Sequence, residues 1–234
     1  MCGRFVSAAP PAEIASYFGA DVVADLEPAA NFNVAPTTDV MVVYDSGGAR
    51  RLDAFRWGLV PTWAKDLSIG SKMINARAET VAEKNAFKSS LSKRRCIVPA
   101  TGFYEWRPTP GEKRKQPFFI HRPDGDPYAF AGLWAQWKGL DAAGSSIVVR
   151  STTIITCAAN EAMSELHDRM PVMLAPSDWE AWLDATALDT ALVLPLLVPA
   201  PSELISYHPV STDVNSVRNN RPDLMVESEP ITLF

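Results

Sequence analysis

Short apolar runs, cut at close intervals by Gly, Pro and polar residues, extend along the whole chain and predict many short elements. Residues 40–44 read as a strand, Ser46-Gly47-Gly48 as the turn after it, and residues 52–57 as the next strand. Residues 96–98 and 103–106 read as two more. Residues 118–120 and 128–130 flank Pro123-Asp124-Gly125, an arrangement that predicts a hairpin. Residues 147–156, rich in β-branched side chains, make the clearest strand. Helical spacing is rarer. Ile14, Tyr17 and Phe18 share one face of a helix over Pro11–Phe18, which Gly19 stops. Val81, Phe87 and Leu91 give residues 79–93 an apolar side, and Ser177 stands where it would cap a helix over residues 178–183. There is no internal repeat and no regular alternation of strand and helix. The expected fold is α+β: one domain over residues 1–234, with a mostly antiparallel, barrel-like β-sheet core and short peripheral helices.

Size and composition narrow this further. A chain of 234 residues, 47% of them hydrophobic, has material for one sizeable core. No apolar run reaches the roughly 18–20 residues of a membrane span. The richest stretch, residues 191–200, is broken by Pro195 and Pro199. The N-terminus lacks a basic region followed by an apolar one, so no signal peptide is expected. Cys2, Cys96 and Cys157 are odd in number and far apart, which points away from a disulfide framework or a zinc site and toward a reducing cytoplasm. Neither a cofactor nor a metal is expected. The formal charge is −5, unevenly spread. Residues 1–150 hold 19 Lys and Arg against 15 Asp and Glu, while residues 151–234 hold 3 against 12. The first part can therefore offer a positive face to phosphate.

The start Met1-Cys2-Gly3-Arg4-Phe5 carries the sharpest chemistry. Removal of Met1 would leave Cys2 with an α-amine and a thiol on adjacent carbons. Such a 1,2-aminothiol condenses with an aldehyde to an imine and then closes to a thiazolidine. The two groups titrate near about 8 and 8.5, close enough to neutrality to be activated locally. Four polar segments interrupt the apolar pattern elsewhere. Asn75 and Arg77 alternate with apolar neighbours and would share a face of an extended segment, offering an amide to a reacting group and a guanidinium to phosphate. The plainer reading is a helix cap and an Arg77–Glu79 surface pair. Glu105 lies among aromatic residues, where burial would suit a carboxyl to proton transfer; an outward salt bridge is the alternative. His167, beside Asp168, is a candidate proton shuttle or a satisfied structural histidine. Trp57 and Trp63 bracket Gly58 and Pro61 and would serve as a stacking platform for bases, or as core. His121 and His208 have no comparable surroundings.

Taken in order, these segments resemble the SOS-response-associated peptidase family, the abasic-site processing proteins. The resemblance rests on residues 1–5, Asn33-Val34-Ala35-Pro36, residues 57–63, Asn75-Ala76-Arg77-Ala78-Glu79, residues 99–106, Ala131-Gly132-Leu133-Trp134, Ala159-Asn160 and residues 167–171. It covers nearly the whole chain. Cys157 stands where a hydroxyl residue would be more usual. The resemblance implies a single α+β domain that binds single-stranded DNA and crosslinks covalently to abasic sites; a monomer with no membrane partner is expected. It makes Cys2 the nucleophile and Asn75, Glu105 and His167 its helpers. It gives Arg77 and Arg169 the phosphates beside the lesion, and Arg4, Pro36, Trp57 and Trp106 the walls of the DNA groove. A minor lyase activity and a peptidase-like removal of whatever precedes Cys2 are implied too. Two rivals remain: an N-terminal-nucleophile glutamine amidotransferase, which also exposes Cys at position 2, and a non-catalytic single-strand-binding module.

Overall fold

The computed structural model describes residues 2–22, 29–108, 114–141 and 143–230. The strands are β1 (Phe5–Ser7), β2 (Asp21–Val22), β3 (Asn31–Val34), β4 (Asp39–Asp45), β5 (Arg50–Trp57), β6 (Asn75–Arg77), β7 (Arg95–Ala100), β8 (Gly102–Arg107), β9 (Gln116–His121), β10 (Tyr128–Leu140), β11 (Ser146–Ala158), β12 (Arg169–Pro171) and β13 (Ser206–Pro209). Four short helices lie outside them: α1 (Pro11–Phe18), α2 (Asn85–Lys93), α3 (Glu161–Ser164) and α4 (Trp179–Leu183). The fold class is α+β, as the apolar pattern predicts.

Five strands close a ring. β4 lies antiparallel between β5 and β7, β10 lies antiparallel between β7 and β11, and β11 returns to β5 through a short parallel pairing at Ser151↔Arg56 and Thr152↔Trp57. Closure satisfies backbone groups that an open sheet would leave on its edges. β11 is long enough to run on past the ring. Its final residues pair with β6 in parallel (Ile154↔Asn75, Thr156↔Arg77) and with β12 in antiparallel (Thr156↔Pro171, Ala158↔Arg169). A second, antiparallel sheet has the order β13-β9-β8-β1-β3.

β1 links the two sheets because its successive side chains point to opposite faces. Phe5 enters the main core, its ring centroid 5.0 Å from that of Trp57 and 6.4 Å from that of Phe130, both edge-on. Val6 enters a separate cluster with Tyr104, Phe119, Val210, Val214 and Leu224. Burying both faces pins the strand that follows Cys2. Buried Arg95 ties α2 to α4, donating to the carbonyls of Leu91, Ser92 and Trp182.

Three local expectations are corrected. β9 and β10 do not form a hairpin: β9 pairs with β8 and β13, and β10 with β7 and β11. The expected helix over residues 79–93 shortens to Asn85–Lys93. Before it the chain turns, with the amides of both Glu83 and Lys84 donating to the Thr80 carbonyl, and Lys84 takes an extended conformation. Ser177 caps nothing; it sits inside a 3-10 turn begun by Pro176, and α4 starts after that turn. Helix α1 matches its expected bounds, with Gly19 at φ 60° in the left-handed conformation that closes such helices.

Candidate active site

The approach of Cys2 is fixed by β1, whose Phe5 pairs with Phe103 of β8 while the Tyr104 amide donates to the Arg4 carbonyl at 3.0 Å. Cys2 itself is fully buried. Asn75, carried on β6, donates from Nδ2 to the Cys2 carbonyl at 2.8 Å. The backbone of this buried residue is thereby fixed from a second strand. Asn75 Oδ1 is also buried and finds no hydrogen-bond partner among the described residues. Asn75 is therefore no helix cap. The alternation of Asn75 and Arg77 along an extended segment holds, with buried Ala76 between them.

Glu105 shares a face of β8 with Phe103, and only 4% of it is exposed. The outward salt bridge is thus not its role. Its carboxylate lies close enough to act on Cys2. The Cys2 thiol is pushed well above its ordinary value, by burial first and by the Glu105 charge second. A thiol so raised stays protonated at neutral pH.

The far half of β11 gathers the remaining polar residues. Arg77 faces Thr156 across the β6–β11 pairing and is exposed, with no side-chain hydrogen bond among the described residues. Arg169, on β12, is committed: its guanidinium makes a two-pronged contact with Glu79 (2.5 and 2.9 Å) and donates to the Thr156 carbonyl at 2.6 Å. The surface pair expected between Arg77 and Glu79 is formed by Arg169 instead. This contact lowers the Glu79 carboxyl pKa and raises that of the Arg169 guanidinium. His167, half-buried, precedes β12. Its Nδ1 lies 2.9 Å from the Arg169 amide and 2.8 Å from an Asp168 carboxylate oxygen. One nitrogen cannot accept from the first and donate to the second at once. Asp168 is 86% exposed, so water competes for it, and the inner contact decides. With Nδ1 accepting from the Arg169 amide, Nε2 is the ring nitrogen left to donate.

The groove-wall expectations divide. Trp57 is corrected: it is fully buried, edge-on to Phe5, with Nε1 donating to the Ile74 carbonyl at 3.0 Å, so it has no face for a base. Trp63, at the other end of that segment, is 58% exposed. Arg4 is half-buried and engaged. Its guanidinium turns inward, donating to Asn33 Oδ1 at 2.6 Å and to the Val214 carbonyl at 2.9 Å. Trp106 is half-buried, with Nε1 donating to Asn215 Oδ1 at 2.7 Å and the Arg4 guanidinium 5.9 Å from its ring centroid. Pro36 is half-buried in a turn whose next residue, Thr37, has φ 71° and donates its amide to the Trp57 carbonyl. Sequence reasoning gave Asn33 no role. Asn33 is buried, accepts from Arg4, and donates from Nδ2 toward the carbonyls of Val214, Ser216 and Asn219 at 2.9–3.2 Å. Its place in the Asn33–Pro36 stretch was the available signal. A cavity of about 540 Å³ between Asp45, Arg50, Glu180 and Asp184 holds none of these residues and is mostly acidic.

Among the described residues no group of three or more His, Cys, Asp or Glu could hold a metal ion, and no helix is long and apolar enough to cross a membrane. The closed barrel and the second sheet thus bring the buried Cys2 thiol together with the Asn75 amide and the Glu105 carboxyl, and Arg77 lies two residues along β6 from Asn75. The sequence profile of the family described as SOS response associated peptidase (SRAP) matches residues 1–217, and the chain belongs to that family, several of whose relatives are named abasic site processing proteins. The abasic site processing protein YoqW of Bacillus subtilis is 39% identical over 226 residues, covering 96% of this chain and 99% of YoqW. The abasic site processing protein HMCES of Pongo abelii is 36% identical over 211 residues, covering 78% of this chain and 59% of HMCES. A crystal structure of a Bacteroides thetaiotaomicron protein superposes with a TM-score of 0.83 at 27% identity, over 97% of this chain and all of that one.

Proposed function

We propose that this protein captures abasic sites in single-stranded DNA through Cys2, after removal of Met1, and holds them as a covalent thiazolidine. Met1 lies outside the described residues. The carrying observation is the Asn75 hydrogen bond to the Cys2 carbonyl beside the buried Glu105 carboxyl, an arrangement suited to presenting residue 2 in one orientation.

The raised thiol pKa supports an amine-first order. The Cys2 amine attacks the open-chain aldehyde of the abasic sugar. The carbinolamine loses water and leaves an imine. The thiol then adds across the C=N bond: sulfur bonds to carbon, and the thiol proton ends on the ring nitrogen. Glu105 takes the ammonium proton in the first step and returns it to the departing hydroxyl. Asn75 Oδ1, buried and unpartnered, accepts from the amine. His167, donating from Nε2, assists opening of the sugar ring. Arg77 binds a flanking phosphate directly, and Arg169 binds another by exchanging the Glu79 carboxylate for it. Pro36 and Trp106 wall the groove, with Trp63 in the place first given to Trp57. An imine that fails to close permits β-elimination, a minor lyase reaction. The peptidase-like step reduces to loss of Met1. The protein acts as a single-domain cytoplasmic monomer near its DNA. Single strands are preferred because extruding the lesion from a duplex costs a few kcal/mol.

Intact-mass measurement after incubation with an abasic oligonucleotide tests this. The expected product starts at Cys2, carries the oligonucleotide less one water, and survives denaturant. Cys2→Ala is expected to give none. An adduct on Cys2→Ala, or on protein that keeps Met1, overturns the proposal.

A further inference from the structure

Two surface cavities of about 670 and 460 Å³ lie on either side of a constriction of about 30 Å³. They form one track. Trp63 and Asn85 line both the larger cavity and the constriction, and Arg94 lines both the constriction and the smaller cavity. No acidic residue lines any of the three, in a chain with 27 acidic against 22 basic residues. Three cations do: Lys88 on α2, Arg94 just after it, and Lys138 on β10. None of the three is in an ion pair among the described residues. Arg94 instead sits 5.8 Å from the ring centroid of Trp134, which shares a face of β10 with Lys138. One exposed tryptophan, a second half-exposed one packed from behind by Tyr44 and Phe55, and three cations without an ion pair among the described residues make up what a groove for a stacked, negatively charged strand requires.

The track also leads from the site. The constriction is lined by Ala135, whose partner across the sheet is Ser151 of β11. Three residues further along β11, Ile154 pairs with Asn75, a separation of about 10 Å at strand spacing. We infer that this track binds the single-stranded DNA flanking the lesion, so that the strand held at Cys2 runs on past Trp63 to Arg94 and Lys138. The inference rests on the proposed reading of the site. It adds a second stretch of contacts that recognises backbone charge and base faces without regard to sequence.

The test compares intact single-stranded oligonucleotides of 6 and 20 nucleotides, bound to wild type and to the triple variant Lys88→Glu, Arg94→Glu, Lys138→Glu, over a range of salt. All three side chains are peripheral, and an unchanged melting temperature checks the fold. Wild type is expected to bind the 20-mer at least tenfold more tightly than the 6-mer. The variant is expected to lose that advantage, and its slope of log affinity against log salt on the 20-mer falls by about 2, the value for three lost phosphate contacts on a single strand. Its crosslinking of an abasic 6-mer stays at the wild-type level. A variant that keeps the length advantage and the salt slope overturns the inference, as does an advantage that appears only when the flank is duplex. Wild type that binds by length yet never crosslinks counts against the proposed chemistry and leaves the track standing.

Discussion

Cys2 and Asn75 show what a single hydrogen bond does at a chain end. Burial and β1 confine residue 2, and the 2.8 Å contact to its carbonyl fixes the orientation that remains, where ordering one residue's backbone costs about 1–2 kcal/mol. Asn75→Ala is therefore expected to slow crosslinking about tenfold, the kinetic equivalent of one hydrogen bond near 1.4 kcal/mol, while leaving affinity for intact single-stranded DNA unchanged. Quench-flow crosslinking rates beside anisotropy titrations separate the two, and a loss confined to affinity would show that Asn75 binds DNA instead of positioning Cys2. At this scale residue type was legible and commitment was not. The resemblance makes Arg77 and Arg169 phosphate contacts and Arg4 a groove wall, three arginines all assigned to DNA. Only packing reveals that Arg4 is turned toward Asn33 and Val214, that Arg169 is engaged by Glu79, and that Arg77 is open. Trp57 and Trp63 differ for the same reason: one lies under Phe5 and the other on the surface.

Among the elements, the strands were legible and their partners were not. Residues 118–120 and 128–130 are strands, as their composition predicts, yet they belong to different sheets. Local pattern reports that a segment is extended, and the pairing is chosen by long-range burial. The helix over residues 79–93 failed in its first half because Val81 is buried from a turn, which reads the same as a buried helical position. One feature of the connection from β5 to β6 was marked only as a glycine. Gly58 has φ 123°, and a Cβ there would stand 2.5 Å from the Gly70 carbonyl oxygen. Its amide donates to Thr152 of β11 and that of Leu59 to Met73, so the connection is tied to the barrel where it begins and closed on itself just before Asn75. Gly58→Ala is expected to lower stability by about 3 kcal/mol or more, by clash and by backbone strain together. Urea midpoints measure it, and a change below about 1 kcal/mol would mean the two backbones separate easily.

For the whole molecule, the three cysteines set an alkaline limit. Burial raises Cys96 to about 12 and Cys157 to about 11, and Cys2 is raised further still. The unfolded chain releases these protons near pH 8.5, while the folded chain keeps them. Raised groups contribute stability that is whole below the unfolded value and disappears as pH climbs toward the folded one. Between about pH 8.5 and 10 the unfolding free energy is therefore expected to fall, with a limiting slope of about 4 kcal/mol per pH unit for three thiols. Denaturant titrations across that range check it, and replacing Cys96 by Ala, which leaves Cys2 in place, should make the slope shallower. A flat profile would mean that the folded thiols ionise as readily as the unfolded ones.

Arg4 and Val214 touch across 210 positions of sequence, and Asn33 grips the same late segment. During synthesis the segment around residue 214 emerges long after the cysteine has left the ribosome. Until then Asn33 Nδ2 and the Trp106 indole lack their acceptors, and Arg4 has Asn33 but not Val214. A chain ending before residue 214 thus leaves the Arg4 side chain to Asn33 alone, while β3, β8 and Asn75 already hold the backbone around Cys2.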